Sequence, residues 1–300
     1  MISRRDFLAS SAAASSLLVM PASAKPTTHQ FNAAERLRNL ETGQARLGVC
    51  LLDTVTGEVS GNRIEERFAM CSTFKLAMVA ACLREADNDR LDLEEILPYS
   101  EADLLEWAPV TRKHLGGGGL SIAVLAQAAQ ELSDGVAANL LVKRLGGPAA
   151  VTKKFREMGD PVSRLDRYEP DLGLVLSADM RDTTSPIAYA RLVRRITIGR
   201  VLRRESRERL LGWMQNTKTG ANRLRSGLPG EWRTGNKTGT GRIEGTTNKC
   251  NDVALTFPPG KNPIIIAAYF DSGEYTEQTE ARHEAVLAEV GQIAAEWAMS

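Results

Sequence analysis

The segment Cys71-Ser72-Thr73-Phe74-Lys75 places a serine three residues ahead of a lysine at the head of an apolar helical run. Residues three apart on a helix share a face, so the spacing predicts that the Ser72 hydroxyl meets the Lys75 amine while Phe74 turns to the core. That pairing describes a nucleophile. A serine hydroxyl attacks poorly until its proton is removed, and an amine beside the positive end of a helix dipole loses enough basicity to remove it. Ser-x-x-Lys also arises by chance, as an N-cap followed by a surface lysine, so the rest of the chain has to decide.

The chain has 300 residues, enough for one large or two intimate domains, and 43% hydrophobic with 25% charged residues is ordinary for a soluble globule. The small basic excess, +1 overall, sits in the leader, where Arg4 and Arg5 face Asp6, so the remainder is balanced. A balanced chain has no bulk field for nucleic acid or anionic lipid. Residues 1–24 read as an export signal: a twin-arginine pattern, Ser3-Arg4-Arg5-Asp6-Phe7-Leu8, a weakly apolar run to Met20, and a small-residue site at Ala22-Ser23-Ala24. The run is too short and too polar to stay as a spanning anchor. The expected location is the periplasm or the cell exterior.

Cys50, Cys71, Cys82 and Cys250 lack metal spacing, and so do His29, His114 and His283, so neither a metal nor a cofactor is expected. Cys71 and Cys82 lie roughly 16 Å apart on one helix, too far to bridge. Cys50 and Cys250 fall in separate predicted strands and are either one disulfide or two buried thiols.

Helical spacing over residues 31–47 predicts a first helix, followed by strands at 46–53 and 58–64 joined by the turn Thr54-Val55-Thr56-Gly57. From Ser72 to Gly212 the pattern is mostly helical, interrupted by glycine turns and a long irregular segment, 164–186. Strands return at 232–239, 246–257 and 263–270, and a helix over 279–297 closes the chain with Val286, Val290, Ile293 and Trp297 in one stripe. The order predicts an α/β (α+β) fold. An antiparallel sheet flanked by the N- and C-terminal helices comes from residues 25–65 and 213–300, and an all-helical lobe from 66–212 includes the 164–186 loop. The site is expected in the cleft between them.

Three further motifs join Ser72: Ser133-Asp134-Gly135 after a helical run, Tyr168-Glu169-Pro170-Asp171-Leu172 in the irregular segment, and Lys237-Thr238-Gly239 on a late strand. In this order the set resembles the serine β-lactamases of class A and their penicillin-binding relatives. The resemblance extends through Trp107-Ala108-Pro109-Val110-Thr111, Ala137-Ala138-Asn139-Leu140-Leu141, Arg181-Asp182-Thr183-Thr184-Ser185-Pro186 and Arg223-Leu224-Arg225-Ser226-Gly227-Leu228-Pro229. It implies a monomeric hydrolase of small-molecule β-lactams. Ser72 would be the nucleophile, Lys75 or Glu169 acting through a water its base, and Ser133 with Lys237 the proton donor to the leaving nitrogen. It further implies an oxyanion hole from the Ser72 and Thr240 N–H groups, and substrate contacts from Trp107, Asn139, Lys237, Thr238, Gly239, Thr240 and Arg223. Arg167 with Asp182 would clasp the loop, and Asp134 would tie down its own turn.

Glu169 is what would separate hydrolysis from capture, because an acyl-serine ester persists unless a carboxylate activates water beside it. A D,D-peptidase would share Ser72, Lys75, Ser133 and Lys237 without needing Glu169, and a sensor would stay acylated.

The chain departs from the family's commonest pattern at two glycines. Gly135 replaces an asparagine that grips the substrate's acylamino group, and Gly173 replaces one that helps hold the deacylating water. Gly173 is expected to leave room for bulkier substrates while loosening that water. Trp107 replaces a tyrosine at the cleft's edge and either stacks on substrate or packs between lobes. Cys71 resembles the cysteine of carbapenem-hydrolysing members, but its usual partner position holds Gly241, so that bridge cannot form. Arg223 stands in for an arginine that other members carry where this chain has Thr246 and Thr247.

Overall fold

The computed structural model describes residues 31–176 and 178–300; the export signal expected at residues 1–24 lies outside them. In chain order the elements are α1 (Ala33–Arg38), β1 (Arg46–Asp53), β2 (Val59–Asn62), β3 (Phe68–Ala69), α2 (Phe74–Asp87), β4 (Ile96–Leu97), β5 (Leu120–Ser121), α3 (Ile122–Glu131), α4 (Gly135–Arg144) and α5 (Pro148–Glu157). There follow β6 (Thr183–Thr184), α6 (Pro186–Thr197), α7 (Arg204–Gln215), α8 (Leu224–Gly227), β7 (Arg233–Gly241), β8 (Lys249–Phe257), β9 (Ile264–Asp271) and α9 (Ala281–Met299).

The main sheet runs β2-β1-β9-β8-β7, every pair antiparallel. Its central strands are buried on both faces, which is why β9 reads as the unbroken apolar run Ile264-Ile265-Ile266-Ala267-Ala268-Tyr269-Phe270. On one face Val49, Leu51, Ala254, Ile266 and Phe270 pack with Leu37 of α1 and Leu287, Val290 and Ile293 of α9. On the other, Cys50, Leu52, Val253, Ile265 and Tyr269 join a larger core built around α2. That helix is apolar nearly all round and buried from Phe74 through Leu83, the pattern of a helix inside a domain. Among the described residues no helix is long and apolar enough to cross a membrane.

One sequence expectation is corrected and one open alternative is decided in favour of buried thiols. The first helix is short: it ends at Arg38, and a turn through Gly43, at φ +59°, sends residues 46–53 into β1, so Leu47 belongs to the strand. A Cys50 to Cys250 disulfide is ruled out, because β9 separates their strands and the two thiols enter the cores on opposite faces of the sheet; all four cysteines are free and buried. Residues 31–300 form one compact unit. The division at residues 65/66 and 212/213 remains our proposal, resting on the two sets of elements, sheet and helical, that supply the site.

Two local devices place the site. The β3–β6 ribbon joins the chain just before Ser72 to the end of the 164–186 segment, continued by Met70 N–H donating to Asp182 O at 2.9 Å. From the sheet, the buried Asn251 side chain on β8 donates to Ala69 O at 2.9 Å and Met70 O at 3.2 Å and accepts from Phe270 N–H at 3.3 Å. Asn251→Ala removes all three bonds, although Met70 O keeps the Thr73 N–H and hydroxyl, at a cost of about 2–3 kcal/mol. Urea unfolding is expected to show that loss at unchanged m-value, and an unchanged midpoint would refute the role given to Asn251.

Candidate active site

Ser72 lies in the tight turn Cys71–Thr73 that feeds α2, with Cys71 held at φ +44°. A non-glycine residue in that region costs about 1–2 kcal/mol and persists only where its surroundings enforce it. Here β7 does so by pressing on the turn: a Cβ on Gly239 would come within 2.8 Å of Met70 O and 3.2 Å of Cys71 Cβ, so only glycine allows the approach. The turn thus sits against the one strand of the sheet that supplies Lys237, Thr238 and Thr240.

Ser72 Oγ donates to Glu169 Oε1 at 3.0 Å, and the same oxygen accepts from Lys75 Nζ at 3.0 Å. The expected meeting of Ser72 with Lys75 is therefore indirect, because among the described residues both bond to Glu169 and not to each other. The Ser72–Glu169 contact is direct, where the resemblance implies a water between them. Lys75 Nζ also donates to Ser133 O at 2.8 Å and reaches Ser133 Oγ at 3.4 Å, while Lys237 Nζ donates to Ser133 Oγ at 3.0 Å and to Thr238 O at 2.9 Å. Ser133 itself is a strained residue at φ +60°. The five side chains thus form one chain of contacts, Ser72–Glu169–Lys75–Ser133–Lys237.

Burial works to raise the Glu169 carboxyl, but the Lys75 charge, the bonds from Lys75 and Ser72, and the Lys237 charge outweigh it and hold the group below its ordinary value. Lys237 is fully buried, and desolvation with repulsion from Lys75 pulls its ammonium well below the usual lysine range.

Glu169 is held through its main chain. Asn139 on α4 donates from Nδ2 to Glu169 O at 2.9 Å and accepts Glu169 N–H at Oδ1 at 3.0 Å. Arg167 Nε pairs with the buried Asp182 at 2.6 Å, and Asp182 also accepts from the N–H groups of Asp166 and Arg167. Asp134 caps α4 through Ala137 N–H and accepts from Val110 and Thr111, fixing the segment that follows Trp107.

β7 is an edge strand. The carbonyl of Asn236 accepts from Gln130 and Thr217 beyond that edge and that of Thr238 from the neighbouring Lys237 side chain, so alternation along the strand turns the Thr240 N–H outward as well. Arg223 is buried, not a surface arginine: Nη2 donates to Thr240 Oγ1 at 2.9 Å, Nη1 to Gly239 O and Asn251 O, and Nε pairs with Glu284 at 3.0 Å. Trp107 is 60% exposed, its Nε1 donating to Leu132 O at 2.9 Å, so it is no lobe-packing side chain.

Neither glycine leaves an open gap. A Cβ on Gly135 would lie 3.0 Å from Leu105 Cδ1, and one on Gly173 would lie 2.8 Å from Ile243 Cδ1. The room expected beside Gly173 is therefore already taken by hydrocarbon. Leu105, Ile243, Asn251 and Thr219, whose hydroxyl bonds that of Thr238 at 2.7 Å, were not singled out from the sequence. They belong to no motif and meet the site only through the fold.

Comparison with known proteins gives one family. A model of the β-lactamase enzyme family matches residues 32–298. β-Lactamase L2 of Stenotrophomonas maltophilia is 40% identical over 98% of this chain and 98% of its own length, and β-lactamase CTX-M-8 of Citrobacter amalonaticus is 39% identical over 85% of each. The solved structure of an ancestral (GNCA) class A β-lactamase superposes with a TM-score of 0.83 at 44% identity, covering 89% of this chain and 100% of that one.

Asn139→Ala removes both main-chain bonds to Glu169. Amide exchange across residues 164–186 is expected to quicken at least tenfold while the sheet stays protected; equal protection in variant and parent would show that the loop is held elsewhere.

Proposed function

This chain belongs to the class A β-lactamase family, and from that premise we propose how its residues divide the work. The protein is a serine β-lactamase that opens the cyclic amide of β-lactam antibiotics, a reaction that fits a role in resistance. The observation that carries the reading is the meeting of the Ser72 hydroxyl and the Lys75 ammonium on one oxygen of Glu169.

Ser72 Oγ attacks the lactam carbonyl carbon and its proton passes to Glu169, already within hydrogen-bond reach. The oxygen that becomes negative is taken by the N–H groups of Ser72 and Thr240; losing one such donor typically costs about 3 kcal/mol. As the C–N bond breaks, Ser133 gives its proton to the departing nitrogen and takes one from Lys75, which in turn takes from Glu169 the proton that came from Ser72, so that Glu169 is again a carboxylate and both lysines stay charged. Water then attacks the ester with Glu169 taking its proton, and as the C–Oγ bond breaks Glu169 passes that proton to Ser72 Oγ, which restores both groups. Lys237 and the Thr240 hydroxyl bind the substrate's carboxylate. Arg223 acts on that carboxylate through Thr240, since its Nη2 donates to Thr240 Oγ1 and leaves the hydroxyl hydrogen free to donate. The exposed Trp107 offers a stacking face at the cleft's edge.

We further propose that the protein is exported through the twin-arginine signal at residues 1–24, works in the periplasm or outside the cell as a monomer without a permanent anchor, and uses no metal or cofactor. Replacing Arg4 and Arg5 by lysine is expected to hold the precursor in the cytoplasm, and undiminished export of the double variant would overturn that route.

Steady turnover of a chromogenic cephalosporin is expected of the parent, whereas Glu169→Ala slows acylation and slows hydrolysis of the ester far more, so that a Ser72 adduct accumulates and is visible by mass spectrometry for hours. A single stoichiometric burst from the parent would point to capture instead. The pH profile follows from the two shifted groups. Glu169 serves as a carboxylate, so activity and its share of stability fall only as pH drops through its lowered value, beneath the ordinary 4.5. Lys237 serves as a cation, so the alkaline limb falls well before the ordinary lysine value of 10.5. Lys237→Arg is expected to move that limb upward, because arginine stays charged; an unmoved limb would assign it to another group.

A further inference from the structure

Gly173 closes the short turn Asp171–Gly173 that begins two residues after Glu169. The turn is held on one side by the Asn139 bonds to Glu169 and by the buried Leu172. Facing it is Ile243, on the connection 242–248 between β7 and β8, with Cδ1 2.8 Å and Cγ1 3.6 Å from where a Cβ of residue 173 would stand. Ile243 is fixed there, because its carbonyl accepts from the Thr246 N–H at 3.0 Å and the Thr246 hydroxyl at 2.7 Å. One half-buried side chain thus joins the strand that carries Lys237 and Thr240 to the loop that carries Glu169.

We propose that Ile243 is a positioning residue for hydrolysis of the acyl-enzyme: packed on Gly173, it sets the distance between the Glu169 turn and β7. The proposal rests on reading Glu169 as the base of that step. Glycine leaves a turn conformationally loose, and an error of about 1 Å in placing a catalytic group can cost about a hundredfold in rate. Hydrocarbon packing at position 173 replaces the polar side chain that relatives commonly use there. The pairing also makes the two residues interdependent in size, since what fits at 173 is decided by what stands at 243. Acylation uses the direct Ser72–Glu169 contact, which the Lys75 pair also holds, whereas hydrolysis needs Glu169 placed for a water as well, so the effect falls mainly on the second half of the reaction.

The test is a size exchange: Gly173→Ala, Ile243→Ala and the double variant, with acylation followed by stopped flow and adduct decay by mass spectrometry. Each single variant is expected to slow decay about threefold to tenfold and to leave acylation within about twofold. Ile243→Val, which removes the δ methyl alone, falls between Ile243→Ala and the parent. The double variant, in which the added methyl occupies the vacated space, decays closer to the parent rate than either single one. A merely structural role would instead lower the melting temperature and move both steps together. Single effects that multiply in the double variant, or decay unchanged in Ile243→Ala, would overturn the proposal. Near-parental decay in Glu169→Ala would instead show that the underlying reading of Glu169 is wrong, so the two failures are distinguishable.

Discussion

A carboxylate largely out of water, receiving a hydroxyl and an ammonium on one oxygen, is the interaction the rest of the molecule is arranged to keep. Taking such a charge out of water costs several kcal/mol unless it is paired and hydrogen-bonded. Lys75 supplies the pair, and Lys237 reinforces it at longer range. The arrangement is mutual, since Glu169 is also one of the charges that favour protonated Lys237 against burial and its neighbouring lysine. Two lysines and one glutamate leave the cleft with a positive excess, the complement of a substrate bearing a single carboxylate.

Holding these groups together takes parts from distant stretches of sequence. Asn139, the Arg167–Asp182 pair and the β3–β6 ribbon govern where Glu169 stands, while Asn251 and the close approach at Gly239 govern where Ser72 stands. Where the family's commonest pattern uses amide side chains, this chain has Gly135 and Gly173, and each is met by a hydrocarbon group, Leu105 and Ile243. The cleft wall has exchanged directional hydrogen bonds for contact packing, which constrains shape without constraining orientation.

The sequence carried the fold wherever pattern and burial agree. β9 is apolar because both faces are covered, and α2, which follows the Ser72 turn, is apolar because it is surrounded. The reading failed where a turn overrode periodicity: the spacing over residues 31–47 suggested a long helix, yet Gly43 turns the chain into β1. Motif residues are recognisable because their chemistry dictates both type and spacing. Their supports are not, because nothing near Ile243, Thr219 or Asn251 in sequence announces what lies beside them in space. The Cys50 and Cys250 pairing was undecidable for the same reason, since which face of a sheet a residue joins depends on register with a strand far along the chain.

The sheet order has a consequence for biogenesis. The first strand, β1, finds its main partner in the last, β9, from Arg46 opposite Asp271 to Asp53 opposite Ile264, and α1 is ion-paired to α9 through Arg36 and Glu296. No N-terminal fragment that stops short of β9 can assemble this sheet during synthesis, so the early hairpin must wait, unpaired along one edge, until β9 has been made. Maturation is then a single late event: a ribosome-bound fragment is vulnerable to proteases and aggregation in proportion to that wait, and the cleft, which needs β7 in place, comes into being only with the whole.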